Sequence, residues 1–374
     1  MAWGTHVWNG GISHPGWRFR ESSGLPDGNY ISADENHKFG FRGKPFTELQ
    51  LLRIVEGCAK EMNQKRTTGI LPLDVERAFD RVWRKGLIYK MAKTGISKKM
   101  CQLIDSCICK RTFSVKVENY GQRTEAQKLE CRKERDIPRT SNTTLALFAD
   151  DTALMSSSWR KEHVRRNLQL AADELQKWFI KWKVKVNATK SQAILIGRKC
   201  DRIVGNINLG GANNIRYLGV VLDTRLTWRQ HMTTAINKAK ASTAMLHPLL
   251  NRRSQMSVRN KLLLIKSVIR PAMTYPSTVW GYAAKTYLRQ LQATENKLLR
   301  MAIDAPWFVR NTQIYRDLKW EPLRDFLQRK AASTFEKAEN HPFVELRNAV
   351  DYSPEDAGPR KKRPRHQMAQ QGNR

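Results

Sequence analysis

The spacing of apolar residues along the first half of the chain follows two different periods. From Thr47 the apolar residues recur at three- and four-residue steps, which predicts an amphipathic helix that buries Leu49, Leu52, Val55, Ala59 and Met62. Residues 70–73 form a short apolar run, which predicts a strand that ends at Asp74. Two further helices are predicted, one with Val82, Trp83, Leu87, Ile88 and Met91, the other with Met100, Leu103, Ile104 and Cys107.

Strand patterns and one long helix occupy the middle of the chain. Strict alternation at Phe113, Val115 and Val117 predicts a half-buried strand, whereas 120–142 is polar and aperiodic. Over 144–155, two apolar runs flank Asp150 and Asp151, which predicts a β-hairpin with carboxylates at its tip. A long amphipathic helix follows, and short strands are expected at 192–196 and 216–222. The apolar face of that helix comprises Val164, Leu168, Ala171, Leu175, Trp178, Phe179 and Trp182.

The two ends of the chain differ from its centre. The first 37 residues show no sustained period and are expected to be irregular, and from Trp228 to about residue 345 the pattern is almost wholly helical. The run 360–365 has five Lys or Arg in six residues and is not expected to fold alone. Two interpretations of this run stay open, a nuclear import signal and a solvated charge run.

Composition narrows the class of partner. The chain has 67 Lys and Arg against 34 Asp and Glu, a net charge of +33. This balance favours a polyanion, bound without sequence preference, and argues against an ordinary small-metabolite enzyme. A hydrophobic fraction of 40%, with 11 Trp, is sufficient for a packed core. No apolar run approaches the roughly 20 residues of a membrane span, and the N-terminus does not resemble a signal peptide, so an intracellular protein is expected.

The six cysteines do not form a metal-binding pattern. None belongs to a C-x-x-C pair, so structural zinc is not expected. Cys101, Cys107 and Cys109 fall in an apolar run and are expected to pack as small hydrophobic residues.

Three acids carry the candidate chemistry. Asp74 ends a predicted strand, and Asp150 and Asp151 lie at the predicted hairpin tip. Adjacent carboxylates flanked by apolar strands are costly unless a cation screens them. Two Mg²⁺ ions held between such acids can activate an attacking hydroxyl and stabilise a leaving pyrophosphate. The alternative is an ordinary solvated turn, which is common for an isolated Asp-Asp pair.

The strings around these acids resemble a known family. Residues 73–83, LDVERAFDRVW, resemble motif A of reverse transcriptases, and 148–151, FADD, resemble their motif C, in the form found in jockey-like non-LTR retrotransposons. Supporting strings cover roughly residues 38 to 345. They are FGFR at 39–42 with Thr47 (fingers), KVKVN at 183–187 with Lys190 and Ser191 (motif D), YLGV at 217–220 (motif E, the primer grip), and thumb-like strings at 261–266, 269–275, 296–300 and 305–311.

The resemblance implies a fold and a domain order. The fold class expected is α+β, a right-hand polymerase whose palm and fingers remnant spans 38–230, with a mainly α-helical thumb at 231–345. An irregular extension at 1–37 and a disordered basic tail at 346–374 complete the chain. The family acts on chromosomal DNA, so a nuclear location is preferred.

The resemblance also implies residue roles. Asp74 and Asp150 would ligate two Mg²⁺ ions, with Asp151 completing the acidic cluster. Lys190 would assist the leaving pyrophosphate. Phe79 would exclude a ribose 2′-hydroxyl, Phe41 and Arg42 would belong to the template-binding fingers, and Tyr217, Leu218 and Gly219 would hold the primer. The partners implied are an RNA template and a DNA primer. Simpler interpretations remain: Phe79 as a core aromatic, Lys190 as a solvated charge, and Gly219 as a strand-end glycine.

Parts of the family pattern are missing. No Pro-Gln-Gly loop of motif B precedes motif C, and the densely charged stretch 128–136 stands in its place. The basic fingers stretch and the endonuclease domain are also not found. We therefore expect a truncated or decayed copy, or the product of a mis-assembled gene model, with exposed apolar faces and no polymerase activity. The alternative function is that of an inactive, basic nucleic-acid-binding relic.

Overall fold

The structure is a computed structural model, and it describes most of the central part of the chain. The described residues are 47–75, 83–93, 95–108, 113–117, 120–124, 137–148, 151–187, 190–197, 212–353 and 363–369. The predictions made for 1–37, for Phe41, Arg42, Phe79 and Asp150, for Cys109 and for the motif B position at 128–136 lie outside them.

Strands and helices follow one another in a mixed order, which confirms the α+β class. The strands are β1 (Thr67–Leu73), β2 (Phe113–Val117), β3 (Tyr120–Thr124), β4 (Thr144–Phe148), β5 (Asp151–Ser158), β6 (Ile194–Ile196), β7 (Asn214–Tyr217) and β8 (Val220–Asp223). The helices up to the last strand are α1 (Thr47–Asn63), α2 (Arg84–Lys93), α3 (Lys98–Ile108) and α4 (Lys161–Lys181).

Beyond the last strand, the described residues are helical or in short connections. The helices are α5 (Arg229–Leu250), α6 (Val258–Leu264), α7 (Arg270–Thr274), α8 (Ser277–Trp280), α9 (Lys285–Ile303), α10 (Asn311–Asp317), α11 (Leu323–Glu339), α12 (Val344–Val350) and α13 (His366–Ala369), with a π-helical turn, Ile265–Ile269, between α6 and α7. No helix in the described ranges is both long enough and apolar enough to span a bilayer.

A four-stranded antiparallel sheet in the order β4-β5-β1-β6 forms the centre of the palm-like half. Successive residues of β1 point to opposite faces, so Ile70 joins the core on the α1 side and Leu71 joins the core beneath α4. Gly69 permits the close approach of α4, because a Cβ at this position would lie 2.6 Å from both Val164 and Leu168. The sheet is thus covered on both faces.

The core on the α1 side extends into the C-terminal helices. One cluster of buried residues includes Leu52 of α1, Val220 of β8, Trp228, and Phe335 of α11. It crosses the predicted palm–thumb boundary at residues 230 and 231 without interruption. The domain boundaries stay a prediction, but the two halves share one hydrophobic core.

Four expectations need correction. The strand predicted at 216–222 is the hairpin β7–β8, and the segment predicted to be aperiodic contains β3, which pairs with β2. Cys107 is exposed, whereas Cys101 is buried as expected. The tail expected to be disordered from residue 346 is helical or packed over 346–353 and 363–369.

The helix α3 exposes part of its apolar face. Met100 is 48% exposed and Leu103 is 56% exposed, while Cys101 packs with Leu87 and Met91 of α2. Part of the apolar face of α3 is therefore exposed to solvent.

Candidate active site

Two of the three candidate acids lie at the ends of neighbouring strands. The last residue pair of β1 and β5 is Leu73 with Thr152, so Asp74 and Asp151 follow at the same edge of the sheet. Alternation along the strands places both on the side of Ile70 and Ala153, which face the α1 core. Both acids are partly exposed to solvent. The strand register thus places Asp74 and Asp151 at one edge of the sheet.

The backbone of Asp74 is held by a segment more than a hundred residues away in the chain. The Asn187 N–H donates to the Asp74 carbonyl oxygen at 2.8 Å, and the Asp74 N–H donates to Ser191 Oγ at 3.2 Å. The Ser191 hydroxyl in turn donates to the Asn187 carbonyl at 2.8 Å. Val75 and Val186 form an isolated antiparallel bridge beside these bonds. The position of Asp74 is therefore fixed from both sides.

Lys190 lies beside the Asp74 carboxylate. Its Nζ is 3.6 Å from Asp74 Oδ2, and 69% of the Lys190 side chain is exposed. The lysine is thus neither a distant solvated charge nor a buried ion pair. Its ammonium group can approach an anion bound at the acids.

The β7–β8 hairpin places a tight turn near the acids. Leu218 and Gly219 have φ values of 45° and 81°, the left-handed pair of a two-residue type I′ connection. A Cβ on Gly219 would lie 3.2 Å from the Tyr275 ring, and the Tyr275 hydroxyl donates to the Leu218 carbonyl at 3.0 Å. Gly219 is therefore required by the turn and is more than a strand-end glycine.

Tyr217 links this hairpin to the acid cluster. Its side chain is buried, and burial raises the pKa of its phenol, an effect that the negative charge of Asp151 increases. The phenol therefore stays protonated. The influence of Asp151 on the pKa of Tyr217 places the hairpin and the acids in one neighbourhood.

Comparisons with known proteins give matches to reverse transcriptases. A family model described as reverse transcriptase (RNA-dependent DNA polymerase) matches residues 126–222, which include β4, β5 and the β7–β8 hairpin. The RNA-directed DNA polymerase from mobile element jockey of Drosophila funebris is 31% identical over 349 residues, covering 86% of this chain and 38% of that protein.

The chain carries a reverse transcriptase domain of the kind found in non-LTR mobile elements.

Two further relatives come from Drosophila melanogaster. The RNA-directed DNA polymerase from mobile element jockey is 30% identical over 82% of this chain and 36% of that protein. The probable RNA-directed DNA polymerase from transposon X-element is 29% identical with the same coverage. The chain thus spans less than two fifths of the length of these relatives. Apo telomerase from Candida tropicalis aligns over 85% of this chain and 52% of its own length, with 11% identity and a TM-score of 0.39.

Within this family, the described residues account for much of motifs C, D and E and for the start of motif A. Asp74 and Asp151 lie at one edge of the sheet, and Lys190 lies beside Asp74. The negative charge of Asp151 acts on the buried Tyr217, which precedes the Leu218–Gly219 turn. Phe41, Arg42, Phe79 and Asp150 lie outside the described residues, so their roles stay predictions. No cluster of three potential metal ligands occurs among the residues that the structure describes.

The residues that are described fit a magnesium site in part. Asp74 and Asp151 supply two partly exposed carboxylates on one face of the sheet, which suits a cation that keeps several waters. Asp150 adjoins Asp151 in the chain and is the third donor that such a site would use.

Sequence reasoning missed the contact between Tyr275 and the β7–β8 turn. Tyr275 belongs to a string attributed to the thumb, yet its hydroxyl bonds to Leu218 and its ring lies against Gly219. The contact joins residues 57 positions apart, and no local pattern signals it.

Proposed function

We propose that this chain is a reverse transcriptase domain whose acid cluster is built for RNA-directed DNA synthesis, and that this copy has lost the synthesis while it retains nucleic-acid binding. The observation that carries the proposal is the placement of Asp74 and Asp151 at one edge of neighbouring strands, with Lys190 Nζ 3.6 Å from Asp74. Acids alone at this edge would be an ordinary solvated turn. With the Lys190 ammonium group beside them and the β7–β8 hairpin as a primer grip, the acids form a site suited to phosphoryl chemistry.

Each group of the site has a proposed task. Asp74, Asp150 and Asp151 would hold two Mg²⁺ ions, and bound metal would supply charge that favours ionisation of the primer 3′-hydroxyl and neutralises the departing pyrophosphate. Lys190 offers its ammonium group as a counter-charge or proton donor on the side of Asp74. The Leu218–Gly219 turn, held by Tyr275, positions the primer end. An RNA template and a DNA primer are the proposed substrates.

The loss of activity is proposed from the sequence between β3 and β4. The sequence there contains no Pro-Gln-Gly string and has a densely charged stretch in its place, whereas a polymerase needs a layer that aligns template and nucleotide. Correct alignment contributes several powers of ten to rate, so acids without it are expected to be inactive. The net charge of +33 supports the second candidate function, non-specific nucleic-acid binding.

A gain-of-function graft tests the proposal directly. A graft in which the motif B segment of a jockey relative replaces residues 125–136, and its basic fingers segment replaces residues 1–37, should produce primer extension on a primed RNA template with dNTPs and Mg²⁺. The unmodified chain should show none. Asp74→Asn or Asp151→Asn in the graft should abolish the product, because each removes a charged metal ligand.

Two controls separate the possible outcomes. The graft that also carries Asp223→Asn tests for a general effect of removing an acid. The Asp223 carboxylate accepts hydrogen bonds in the turn before α5, so this variant should still extend the primer to some degree. Extension by the unmodified chain that Asp150→Ala abolishes would refute the loss of activity but support the site. If the graft binds nucleic acid and neither binds Mg²⁺ nor extends a primer, the chain is a binding relic.

A further inference from the structure

The connection between α9 and α10 carries two strongly exposed aromatic side chains. We call residues 304–310 the aromatic loop. Trp307 is 90% exposed and Phe308 is 68% exposed, and their rings meet edge to face with centroids 6.0 Å apart. Trp307 is the most exposed large apolar residue in the described part of the chain. Large aromatic side chains dominate cores and binding surfaces, so an exposed adjacent pair calls for a partner.

The exposure does not come from a loosely attached segment. The Arg300 guanidinium donates to the carbonyls of Pro306 and Val309 and to Asn311 Oδ1, at 2.8 Å to Pro306 and 2.9 Å to Asn311. Ala305 and Val309, on either side of the aromatic pair, pack against the main core. The loop is therefore held at its base while Trp307 and Phe308 project outwards. A contact surface ordered before binding loses little conformational entropy when a partner arrives.

The surroundings of the loop are positively charged. An ion pair of 3.8 Å between Arg252 and Asp304 brings the turn after α5 next to the aromatic loop. Together, segments 251–254 and 300–311 contain one acid, Asp304, and four arginines, which are Arg252, Arg253, Arg300 and Arg310. An apolar protein surface placed here would have to desolvate these arginines. A polyanion with flat aromatic groups would match both the charge and the rings.

We propose that the aromatic loop binds single-stranded nucleic acid by stacking bases on Trp307 and Phe308, with the neighbouring arginines contacting phosphates. Stacking is tolerant of sequence because every base has a π face, and arginine supplies the charge that tracks the backbone. The proposal shares its class of partner with the proposed function. It concerns a separate surface and needs neither Mg²⁺ nor the acids.

The test measures binding of a labelled, unstructured oligonucleotide of about 20 nucleotides, as RNA and as DNA, by fluorescence anisotropy in EDTA. Trp307→Ala should weaken binding by roughly 5- to 100-fold, the range for loss of one stacked base. Trp307→Tyr should restore most of the affinity, whereas Trp307→Leu, which keeps apolar bulk without a π face, should not. The effect on blunt duplex should be smaller, because its bases are already stacked on each other.

A salt series and a matched exposed tryptophan control the test. Trp307→Ala should lower affinity equally at all salt concentrations, whereas Arg252→Gln with Arg253→Gln should flatten the dependence on salt. Trp159, which is 67% exposed and follows the far end of β5 from the acids, provides the control, and Trp159→Ala should change affinity by less than about 2-fold. Circular dichroism should show all variants folded, since the altered side chains are exposed.

Two results would overturn the proposal. The first is unchanged oligonucleotide binding in Trp307→Ala and in the double variant with Phe308→Ala. The second is that Trp307→Leu binds the oligonucleotide as tightly as the unmodified chain does, while Trp307→Ala changes only the oligomeric state measured by sedimentation. That result would assign the loop to a protein contact. Because the assay contains EDTA, failure of primer extension has no bearing on either result.

Discussion

At the scale of single residues, the buried His231 should make the stability of the fold depend on pH. Its ring lies near the rings of Trp228 and Trp280, with centroids 6.4 and 6.1 Å away, and its Nδ1 accepts a hydrogen bond from the Val221 N–H at 3.4 Å. Burial lowers the pKa of His231 from 6.5 to about 4. The imidazole is therefore neutral in the folded chain over most of the physiological range, and folding is opposed when it must be protonated.

The unfolded chain binds a proton at His231 at higher pH than the folded chain does. Stability should therefore be unaffected by this residue above about pH 6.5 and should fall as pH decreases from there towards 4. The loss should be on the order of 2 kcal/mol at pH 5. Urea unfolding at pH 7 and pH 5 measures it, and His231→Gln should reduce the difference between the two values.

His163 supplies the control for this measurement. Its side chain is exposed near the start of α4, so His163→Gln tests for a general effect of replacing a histidine. An equal pH dependence in the unmodified chain and in His231→Gln would contradict the assignment.

At the scale of elements, the β7–β8 hairpin depends on one glycine. Gly219→Ala would place a Cβ in the left-handed region and 3.2 Å from the Tyr275 ring. We expect a loss of about 1–2 kcal/mol in the free energy of unfolding, because L-residues are strained at this φ. Chemical denaturation of the two proteins measures the change.

Gly57 in α1 is the opposite case and the matched control. A Cβ there meets no atom within 4 Å, and the residue lies inside a helix. Gly57→Ala should stabilise the chain by about 0.5–1 kcal/mol, because alanine loses less backbone entropy. If both substitutions changed the free energy of unfolding in the same direction, the requirement for glycine at position 219 would be refuted.

At the scale of the whole molecule, the last described segment packs against the first described helix. Glu56 of α1 is fully buried and pairs with Arg363 at 2.8 Å, and the Tyr352 hydroxyl donates to the same carboxylate. Burial raises the pKa of Glu56, and the Arg363 charge opposes that shift. Arg365 donates to the Val350 carbonyl at 2.6 Å and pairs with Glu339. Two residues of the basic run are thus engaged within the fold, so the purely solvated interpretation is wrong for them.

Removing Arg363 should be costly because it leaves a buried carboxylate uncompensated. We expect Arg363→Gln to lower the free energy of unfolding by about 3–5 kcal/mol, and Arg363→Gln combined with Glu56→Gln to recover part of the loss. Urea denaturation measures both. The exposed pair of Arg329 and Glu321 is the control, and Arg329→Gln should cost less than about 1 kcal/mol. If Arg363→Gln lowered the free energy of unfolding as little as Arg329→Gln does, the segment 363–369 would not stabilise the fold. A role of the basic run in nuclear import stays a prediction.

The sequence by itself determined the elements whose signals are local. Helix α1, strand β1 and the acid-bearing hairpin β4–β5 follow from the spacing of apolar residues, because side chains on one face of a helix or strand recur at its own period. The motif strings indicated the family and pointed to Asp74, Asp151 and Lys190. This was possible because each motif is a short continuous stretch of chain, so the sequence alone is enough to recognise it.

Only the tertiary structure decided which distant groups meet. Three contacts join segments that are far apart in the chain: Lys190 with Asp74, Tyr275 with the Leu218–Gly219 turn, and Arg363 with Glu56. The periodicity of one segment does not indicate which other segment it will contact. The exposure of Met100 and Trp307 was also decided at this level, because an apolar residue is buried only where another element covers it. Local pattern fixes which face of an element is apolar, while packing fixes whether that face is covered.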